Sequence, residues 1–272
     1  MPDLRVTTRN ARFQQWEALL TNRTKRHRAG EFLVQGVRPI NLAVEHGWTV
    51  RALLYDADAQ LSKWAVDLFD RLRAPAVAMS PELLAELGGK DDAAPELIAV
   101  VAQRRDDFTR LHVRPGRPAV VFDRPTSPGN IGTLVRSADA FGAAGVIVTG
   151  HAADPYDPKA VRASTGSFFA VPVVRAPSHR EVLDWVARLR EEHVPVQIAG
   201  TDEGGEVDVA EVDYTQPTLL VVGNETAGMS SAWREACDVT MRIPMIGAAS
   251  SLNAATAGSI VLYEAARSRR GA

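Results

Sequence analysis

The sequence lacks the features that would place the protein in a membrane, outside the cell or around a structural metal. Cys237 is the single cysteine among 272 residues, so no internal disulfide can form, and no Cys/His cluster has zinc spacing. No apolar run reaches the ~18 residues that a membrane span requires. The N-terminal stretch MPDLRVTTRNARFQQW has no apolar core of the secretory kind. These absences predict a cytoplasmic protein with no metal and no membrane partner.

The common catalytic signatures are also missing. No GxGxxG follows a predicted strand, and there is no GxxxxGK[ST] phosphate loop. Neither a GxSxG elbow nor an HExxH pair occurs. The sequence therefore gives no support to dehydrogenase, P-loop, serine hydrolase or zinc protease functions.

Charge is distributed unevenly along the chain. The apolar fraction of 46% and the charged fraction of 24% are typical of a globular protein. The net charge is −2, but residues 1–40 hold eight basic and three acidic side chains, which leaves an acidic remainder. A cationic arm on an acidic body suits a polyanionic partner, and a solvated basic helix end explains it equally well.

The pattern of apolar residues predicts two α/β regions separated by a linker at residues 114–118, which holds two prolines and a glycine. Before the linker we predict strands near 31–34, 50–54, 76–79 and 97–101, and helices over 10–20, 37–46, 61–72 and 81–87. After it we predict strands at 119–122, 145–149, 194–199, 219–222 and 239–243, and helices over 130–141, 178–190 and 252–267. Short, continuously apolar strands alternating with helices indicate a parallel sheet covered on both faces.

The first of three conspicuous segments opens the predicted helix at 130–141. Asn130 could cap that helix. Arg136 falls roughly opposite the apolar stripe, so it cannot serve the core. It is either an ordinary solvated arginine or a cation directed at phosphate or at a developing alkoxide.

The second and third segments follow predicted strands. Gly223 comes directly after the strand at 219–222, where a glycine lets the backbone approach a ligand closely, although a simple turn has the same pattern. The third segment runs from Ile243 through a loop of small residues to Ser251 and Asn253. Either polar residue could be an ordinary part of the start of the last helix.

Taken in order, these segments resemble the TrmH/SpoU family of RNA 2′-O-methyltransferases. The family's three motifs correspond to NIGTLVRSADAFGA (130–143), LLVVGNETAGMS (219–230) and MRIPMIGAASSLNAATA (241–257). The stretch RTKRHRAGEFLVQGVRP (23–39) resembles the L30e-like substrate-binding domain that many members carry. Stretches such as RNARFQQWEALL (9–20) and HAADPYDPK (151–159) are similar to members that methylate 23S ribosomal RNA and confer antibiotic resistance.

The resemblance implies an α/β protein with an N-terminal L30e-like domain over residues 1–113. It implies a C-terminal SPOUT-type domain over residues 118–272, which has a parallel sheet and a chain that forms a trefoil knot. It also implies a homodimer with each active site at the subunit interface, which would explain why Arg136 faces away from its own core.

The resemblance also assigns residues. Those matching the family's catalytic positions are Asn130, Arg136, Glu225, Ser251 and Asn253. Those expected to hold the cofactor, S-adenosylmethionine, are Gly223, Asn224, Ile243, Met245 and Leu252. Those expected to contact RNA phosphates are Arg9, Arg23, Lys25, Arg26, Arg28 and Arg38. Two positions depart from the family pattern: Ala255 replaces a frequent serine and Gln35 a usual glutamate.

The function that the resemblance implies is ribose 2′-O-methylation of ribosomal RNA, at a 23S uridine, with antibiotic resistance as one consequence. Methyl transfer from a sulfonium needs no metal, because the donor already carries a positive charge. A tRNA ribose methyltransferase and a non-catalytic RNA-binding protein of the same fold are the alternatives. The cationic N-terminal arm disfavours a small-molecule substrate.

Overall fold

The computed structural model describes residues 4–89 and 95–269, and these form two compact units. The first unit runs to Arg104 and includes Tyr156–Val161, whereas the second holds Arg105–Pro155 and the chain from Arg162 onward. The division therefore does not follow a single cut in the sequence. The domain limits of 1–113 and 118–272 stay a prediction.

The first unit is built on a five-stranded mixed sheet in the order β1-β4-β3-β5-β2. Its strands are β1 (Leu4–Val6), β2 (Glu31–Gln35), β3 (Val50–Asp56), β4 (Ala76–Met79) and β5 (Leu97–Ala102). Its helices are α1 (Ala11–Thr21), α2 (Arg23–Ala29), α3 (Val37–Glu45), α4 (Lys63–Arg71) and α5 (Pro81–Gly88). Strand β5 runs antiparallel to both of its neighbours, while β1 and β3 lie parallel to β4.

The second unit is built on a seven-stranded sheet in which every pairing is parallel, in the order β10-β12-β9-β11-β6-β7-β8. Its strands are β6 (Ala119–Asp123), β7 (Gly145–Thr149), β8 (Val173–Ala176), β9 (Gln197–Thr201), β10 (Val207–Asp208), β11 (Thr218–Val222) and β12 (Val239–Arg242). Its α-helices are α6 (Pro128–Ala140), α8 (Ser167–Ala170), α9 (His179–Glu191), α10 (Ser231–Ala236) and α11 (Ala254–Ser268). Helix α7 (Pro158–Ala163) begins in the Tyr156–Val161 segment of the first unit.

The predicted parallel sheet is confirmed in this second unit. Every residue of β6, β7 and β11 is buried, and because alternate side chains point to opposite faces, both faces of the sheet must be covered. Helices α6 and α11 pack against each other at Gly258, where an added Cβ would lie 2.6 Å from a Leu134 methyl carbon. The knotted path of the chain stays a prediction.

The sequence misplaced two helix starts. Helix α6 begins at Pro128, and its N-cap is Ser127, whose hydroxyl accepts the Asn130 backbone N–H at 3.4 Å. Helix α11 is capped by Asn253 and not by Ser251, because the Asn253 side-chain oxygen accepts the N–H groups of Ala255 and Thr256. Asn130 therefore does not have the capping role that its position first suggested.

Arg26 corrects the predicted cluster of RNA-contacting cations. Its side chain is only 2% exposed and donates to the carbonyl oxygen of Leu19 at 2.8 Å, near the end of α1. It also pairs with Asp157 at 3.5 Å. The last carbonyls of a helix have no partner within the helix, so this guanidinium completes α1 and ties it to α2. The structure contradicts the prediction that Arg26 contacts RNA phosphate.

Within residues 4–89 and 95–269, none of the helices has the length and apolar character of a membrane span.

Replacing Arg26 should therefore destabilise the first unit. In Arg26→Met the buried carbonyl groups lose their donor, and we expect the free energy of unfolding to fall by about 2 kcal/mol. Lys25→Met, a change at the exposed neighbour, should stay within about 0.5 kcal/mol of the parent. Urea unfolding followed by tryptophan fluorescence measures both. Equal stability of the two variants would refute the structural role of Arg26.

Candidate active site

The candidate site lies where two neighbouring parallel strands end. Strands β6 and β11 pair in register, with Phe122 opposite Val222, so their carboxyl ends reach the same edge of the sheet. Open α/β sheets bind ligands at this edge. The loop after β6 leads into α6, and the loop after β11 carries Gly223 and Glu225. The two loops are therefore brought together by the strand register.

The Glu225 carboxylate joins these loops. One oxygen accepts the backbone N–H of Thr126 at 3.0 Å and its hydroxyl at 3.1 Å. The other accepts the Ser127 N–H at 3.2 Å and the Asn130 side-chain amide at 3.0 Å. A carboxylate that accepts several N–H and O–H bonds holds its donors in fixed positions. Glu225 therefore fixes both the start of α6 and the orientation of the Asn130 side chain.

The network continues to the third segment. The Asn253 side-chain amide donates to the Asn130 side-chain oxygen at 3.2 Å. Because Asn253 uses its own oxygen to cap α11, its amide can only act as a donor toward Asn130. Three of the five predicted catalytic residues, one from each sequence segment, thus form one chain of hydrogen bonds.

The ionisation of Glu225 follows from these contacts. Burial on its own would raise the pKa of the Glu225 carboxyl, but hydrogen bonds from Thr126, Asn130 and Ser127 outweigh it and lower the pKa below its ordinary value. The group is therefore held as a carboxylate, which is the form that accepts all of these donors.

A cleft of about 320 Å³ opens beside the network. That volume falls within the ~300–1,000 Å³ of small-molecule sites. The predicted residues that line it are Gly223, Asn224, Glu225, Ile243, Met245, Ser251 and Leu252. All five predicted cofactor residues are in this set, so the cleft is where the structure brings them together.

The walls of the cleft fit a ligand held through backbone groups. At Gly223 an added Cβ would lie 2.4 Å from the Gly228 carbonyl carbon and from the Met229 nitrogen, so only glycine allows the loop to close this tightly. Asn224 holds the turn by accepting the N–H groups of Thr226 and Ala227. Apolar Met245 and Leu252 supply surface for a flat apolar group such as adenine.

Arg136 is not among the residues that line the cleft. It lies on the exposed side of α6, and within the described ranges no hydrogen bond or ion pair holds its guanidinium. Ser251 lines the cleft and is exposed. Both side chains are therefore available to a molecule from outside.

Two residues that hold the loop after β11 were not predicted from the sequence. Asp123, at the end of β6 and only 3% exposed, accepts the Ser230 N–H at 2.9 Å and the Thr149 hydroxyl at 3.2 Å. Arg124 adopts a left-handed φ of 50° and bonds both Asp123 and the Gly228 carbonyl oxygen. An acidic residue ending an otherwise apolar strand was the available signal.

Charged residues at the far rim of the cleft were also missed. Asp202 and Glu203 follow β9, and Arg234 on α10 pairs with Asp202 at 3.1 Å. Among the described residues no group of three or more His, Cys, Asp and Glu side chains is arranged to hold a metal ion.

The predicted RNA-contacting cations lie in the first unit and differ in their surroundings. Arg23, Lys25, Arg28 and Arg38 are exposed. Arg9 is exposed as well, and it pairs with Glu17 at 3.3 Å and with Glu86 at 2.7 Å.

Comparison with known families matches both parts of the chain. Residues 117–263 match the SpoU rRNA Methylase family, and residues 10–99 match the SpoU L30e-like domain. The chain belongs to the SpoU rRNA methylase family. The predicted family and the order of its two domains are confirmed.

Individual relatives are similar over nearly the whole chain. A 23S rRNA (uridine(2479)-2′-O)-methyltransferase of Streptomyces viridochromogenes is 62% identical over 97% of this chain and 92% of its own length. The crystal structure of the SpoU methyltransferase AviRb from that organism, in complex with the cofactor AdoMet (S-adenosylmethionine), has a TM-score of 0.93 and 62% identity, covering 96% of this chain and 99% of that one.

Two more distant structures are of enzymes with different RNA substrates. An AdoMet-bound rRNA methyltransferase from Sinorhizobium meliloti has a TM-score of 0.85 at 30% identity, covering 97% of this chain and 98% of that one. A TrmH/SpoU tRNA modifying enzyme from A. aeolicus has a TM-score of 0.50 at 33% identity, covering 59% of this chain and 79% of that one. The comparisons confirm the predicted methyltransferase class and its cofactor, S-adenosylmethionine.

The Glu225 carboxylate should stabilise the fold in a pH-dependent way. Because its pKa is lowered on folding, its contribution is complete above the ordinary glutamate pKa of about 4.3 and is lost as the pH falls through the folded-state value. In Glu225→Gln a side-chain amide replaces one acceptor oxygen and faces N–H donors. The parent should therefore be more stable than Glu225→Gln near neutral pH, and the difference should shrink in acid.

Chemical denaturation at several pH values measures this difference. Glu203→Gln is the matched control, because Glu203 lines the same cleft and is exposed. A Glu225→Gln variant whose stability follows that of the control at every pH would show that the network does not depend on the carboxylate.

Proposed function

We propose that this chain transfers a methyl group from S-adenosylmethionine to a ribose 2′-oxygen of ribosomal RNA, with a 23S uridine as the acceptor. The observation that carries the proposal is the hydrogen-bonded chain Asn253–Asn130–Glu225 at the edge of a cleft lined by all five predicted cofactor residues. The similarity to a 23S rRNA uridine methyltransferase over 97% of the chain supports the choice of substrate.

Ribosomal RNA is favoured over tRNA by coverage. The rRNA methyltransferase from Sinorhizobium meliloti matches 97% of this chain, including the first unit, whereas the tRNA modifying enzyme matches 59%. We infer that the L30e-like domain at residues 10–99 accounts for the difference in coverage, and we assign substrate choice to it. Methylation of the ribosome in the cytoplasm would also serve resistance to an antibiotic that binds at the modified nucleotide.

The predicted cofactor residues would bind the cofactor and hold it in place. Gly223, Asn224 and Ile243 would hold S-adenosylmethionine through backbone groups, with Met245 and Leu252 packing against it. When bound, the cofactor supplies a methyl group on a positively charged sulfur. The protein's task is then to bring the ribose oxygen into line with that methyl group and to favour loss of its proton.

Arg136 would act as a permanently charged group. A guanidinium stays protonated in proteins, so a role as a base is disfavoured on physical grounds. Stabilising the developing alkoxide and clamping the adjacent phosphate both suit it. Asn130, oriented by Glu225 and Asn253, would align the nucleotide, and the exposed Ser251 hydroxyl would contact the ribose.

A homodimer is part of the proposal. The loop after β12 exposes Met245, and its neighbour Ile246 is 104% exposed. Exposed apolar side chains beside a polar site are typical of a protein interface. A second subunit that covers this loop would also bring a surface to the exposed face of α6. Sedimentation equilibrium tests this part, and a single subunit at micromolar concentration would contradict it.

The activity test uses purified protein, S-adenosylmethionine labelled in the methyl group, and separate 16S, 23S and tRNA substrates. We expect label on 23S rRNA, at a ribose located by mass spectrometry. Arg136→Ala should lower the rate about 100- to 1,000-fold while leaving cofactor affinity, measured by calorimetry, nearly unchanged. Arg188→Ala, which removes an exposed arginine of the same unit that does not line the cleft, is the control.

Three other results of these assays would change the proposed function. Label on tRNA alone would replace the proposed substrate. Tight RNA binding without cofactor binding would identify a non-catalytic RNA-binding protein. If Arg136→Ala lost cofactor affinity by the same factor as rate, Arg136 would be assigned to binding the cofactor and not to the reacting nucleotide.

A further inference from the structure

The first unit contains a cleft of its own, between α1 and α2, with a volume of about 530 Å³. Its volume is in the range of small-molecule sites. Three cations, Arg12, Lys25 and Arg28, line it, against one carboxylate, Glu31. Three of its other lining residues are alanines, which leave the space between the helices open: Ala11, Ala18 and Ala29.

The two helices that form this cleft are held rigidly. Asn22 ends α1 and also caps α2, where its side-chain oxygen accepts the Lys25 N–H at 3.0 Å. The buried Arg26 donates from α2 to the Leu19 carbonyl oxygen of α1 at 2.8 Å. A cleft that exists before its ligand arrives loses little entropy on binding.

The chemistry of the lining favours a nucleotide. The Arg12 guanidinium carbon lies 5.7 Å from the centroid of the Trp16 ring, and Arg12 is exposed whereas Trp16 is 5% exposed. A guanidinium restrained on an indole is a planar surface on which a base can stack. The exposed Gln15 side chain offers both a donor and an acceptor to the edge of a base.

We propose that this cleft binds one unpaired nucleotide of the RNA substrate, at a position other than the methylated one. Lys25 and Arg28 hold its phosphates, Arg12 stacks on its base, and Gln14 and Gln15 contact the base edge. A paired base is stacked inside a helix and cannot enter a concave site, so the ligand is single-stranded RNA. The proposal rests on the proposed function, since it takes RNA as the substrate.

The test compares binding of two fluorescent probes to the full-length protein. One is a single-stranded RNA of about 12 nucleotides of mixed sequence, within the span of one single-strand site, and the other is its blunt duplex. Arg12→Ala should weaken single-strand binding about tenfold and leave duplex binding unchanged. Arg51→Ala, which removes an exposed cation of the same unit outside the cleft, should affect neither.

Salt dependence tests the binding of phosphate by the two cations. The double variant Lys25→Met/Arg28→Met should reduce the slope of log K against log salt by about 1.4 for the single strand, or roughly 0.7 for each phosphate that the variant no longer neutralises. In the methylation assay the cleft variants should raise KM for ribosomal RNA and leave kcat and cofactor affinity unchanged. Thermal unfolding verifies that these exposed changes leave the fold intact.

The outcomes separate this inference from the function on which it rests. If the parent protein methylates ribosomal RNA but the Arg12 and Lys25/Arg28 variants match it in single-strand binding and KM, the inference is wrong and the function stands. Equal losses for single strand and duplex would also overturn it, because they indicate a surface that reads phosphates alone. A parent protein that neither binds nor methylates RNA refutes both.

Discussion

The candidate active site depends on one partly buried carboxylate. Glu225 accepts donors from the loop after β6 and from Asn130, and these bonds exist only because β6 and β11 are adjacent and in register. The surrounding N–H groups keep this carboxylate ionised although it is partly buried, because their hydrogen bonds lower its pKa. The loop after β6 is thereby held beside the candidate cofactor cleft, and the Asn130 side chain is held in one orientation.

A second charged residue has a comparable structural role in the other unit. Arg26 completes the end of α1 and fixes α2 against it, so the cations on either side of it face a preformed cleft. Lys25 and Arg28 belong to the same short helix as Arg26, but they lie on its exposed side whereas Arg26 is buried. The buried Arg26 thus fixes the two helices on which the exposed Lys25 and Arg28 side chains line the cleft.

The sequence predicted the long, apolar elements well, because burial on both faces makes strands such as β6, β7 and β11 continuously apolar. It missed seven short elements: α2, α7, α8, α10, β1, β8 and β10. The α2 residues RTKRHRA carry no apolar stripe, and the three strands have only two to four residues each. The three motifs indicated the residues of the candidate site. Local sequence patterns could not predict the hydrogen bond between Asn130 and Glu225, because these residues are 95 positions apart. Nor could they show that Arg26 is buried, since its partner Asp157 lies 131 residues along the chain.

The central claim is that Asn130 and Glu225 act as one unit in catalysis. A double-mutant cycle on Asn130→Ala and Glu225→Ala, read as kcat/KM for methyl transfer to ribosomal RNA, measures this most directly. The account predicts that the double variant is no slower than the slower single variant, because each change already disconnects the network. Losses that multiply in the double variant would contradict it, since the two residues would then contribute independently.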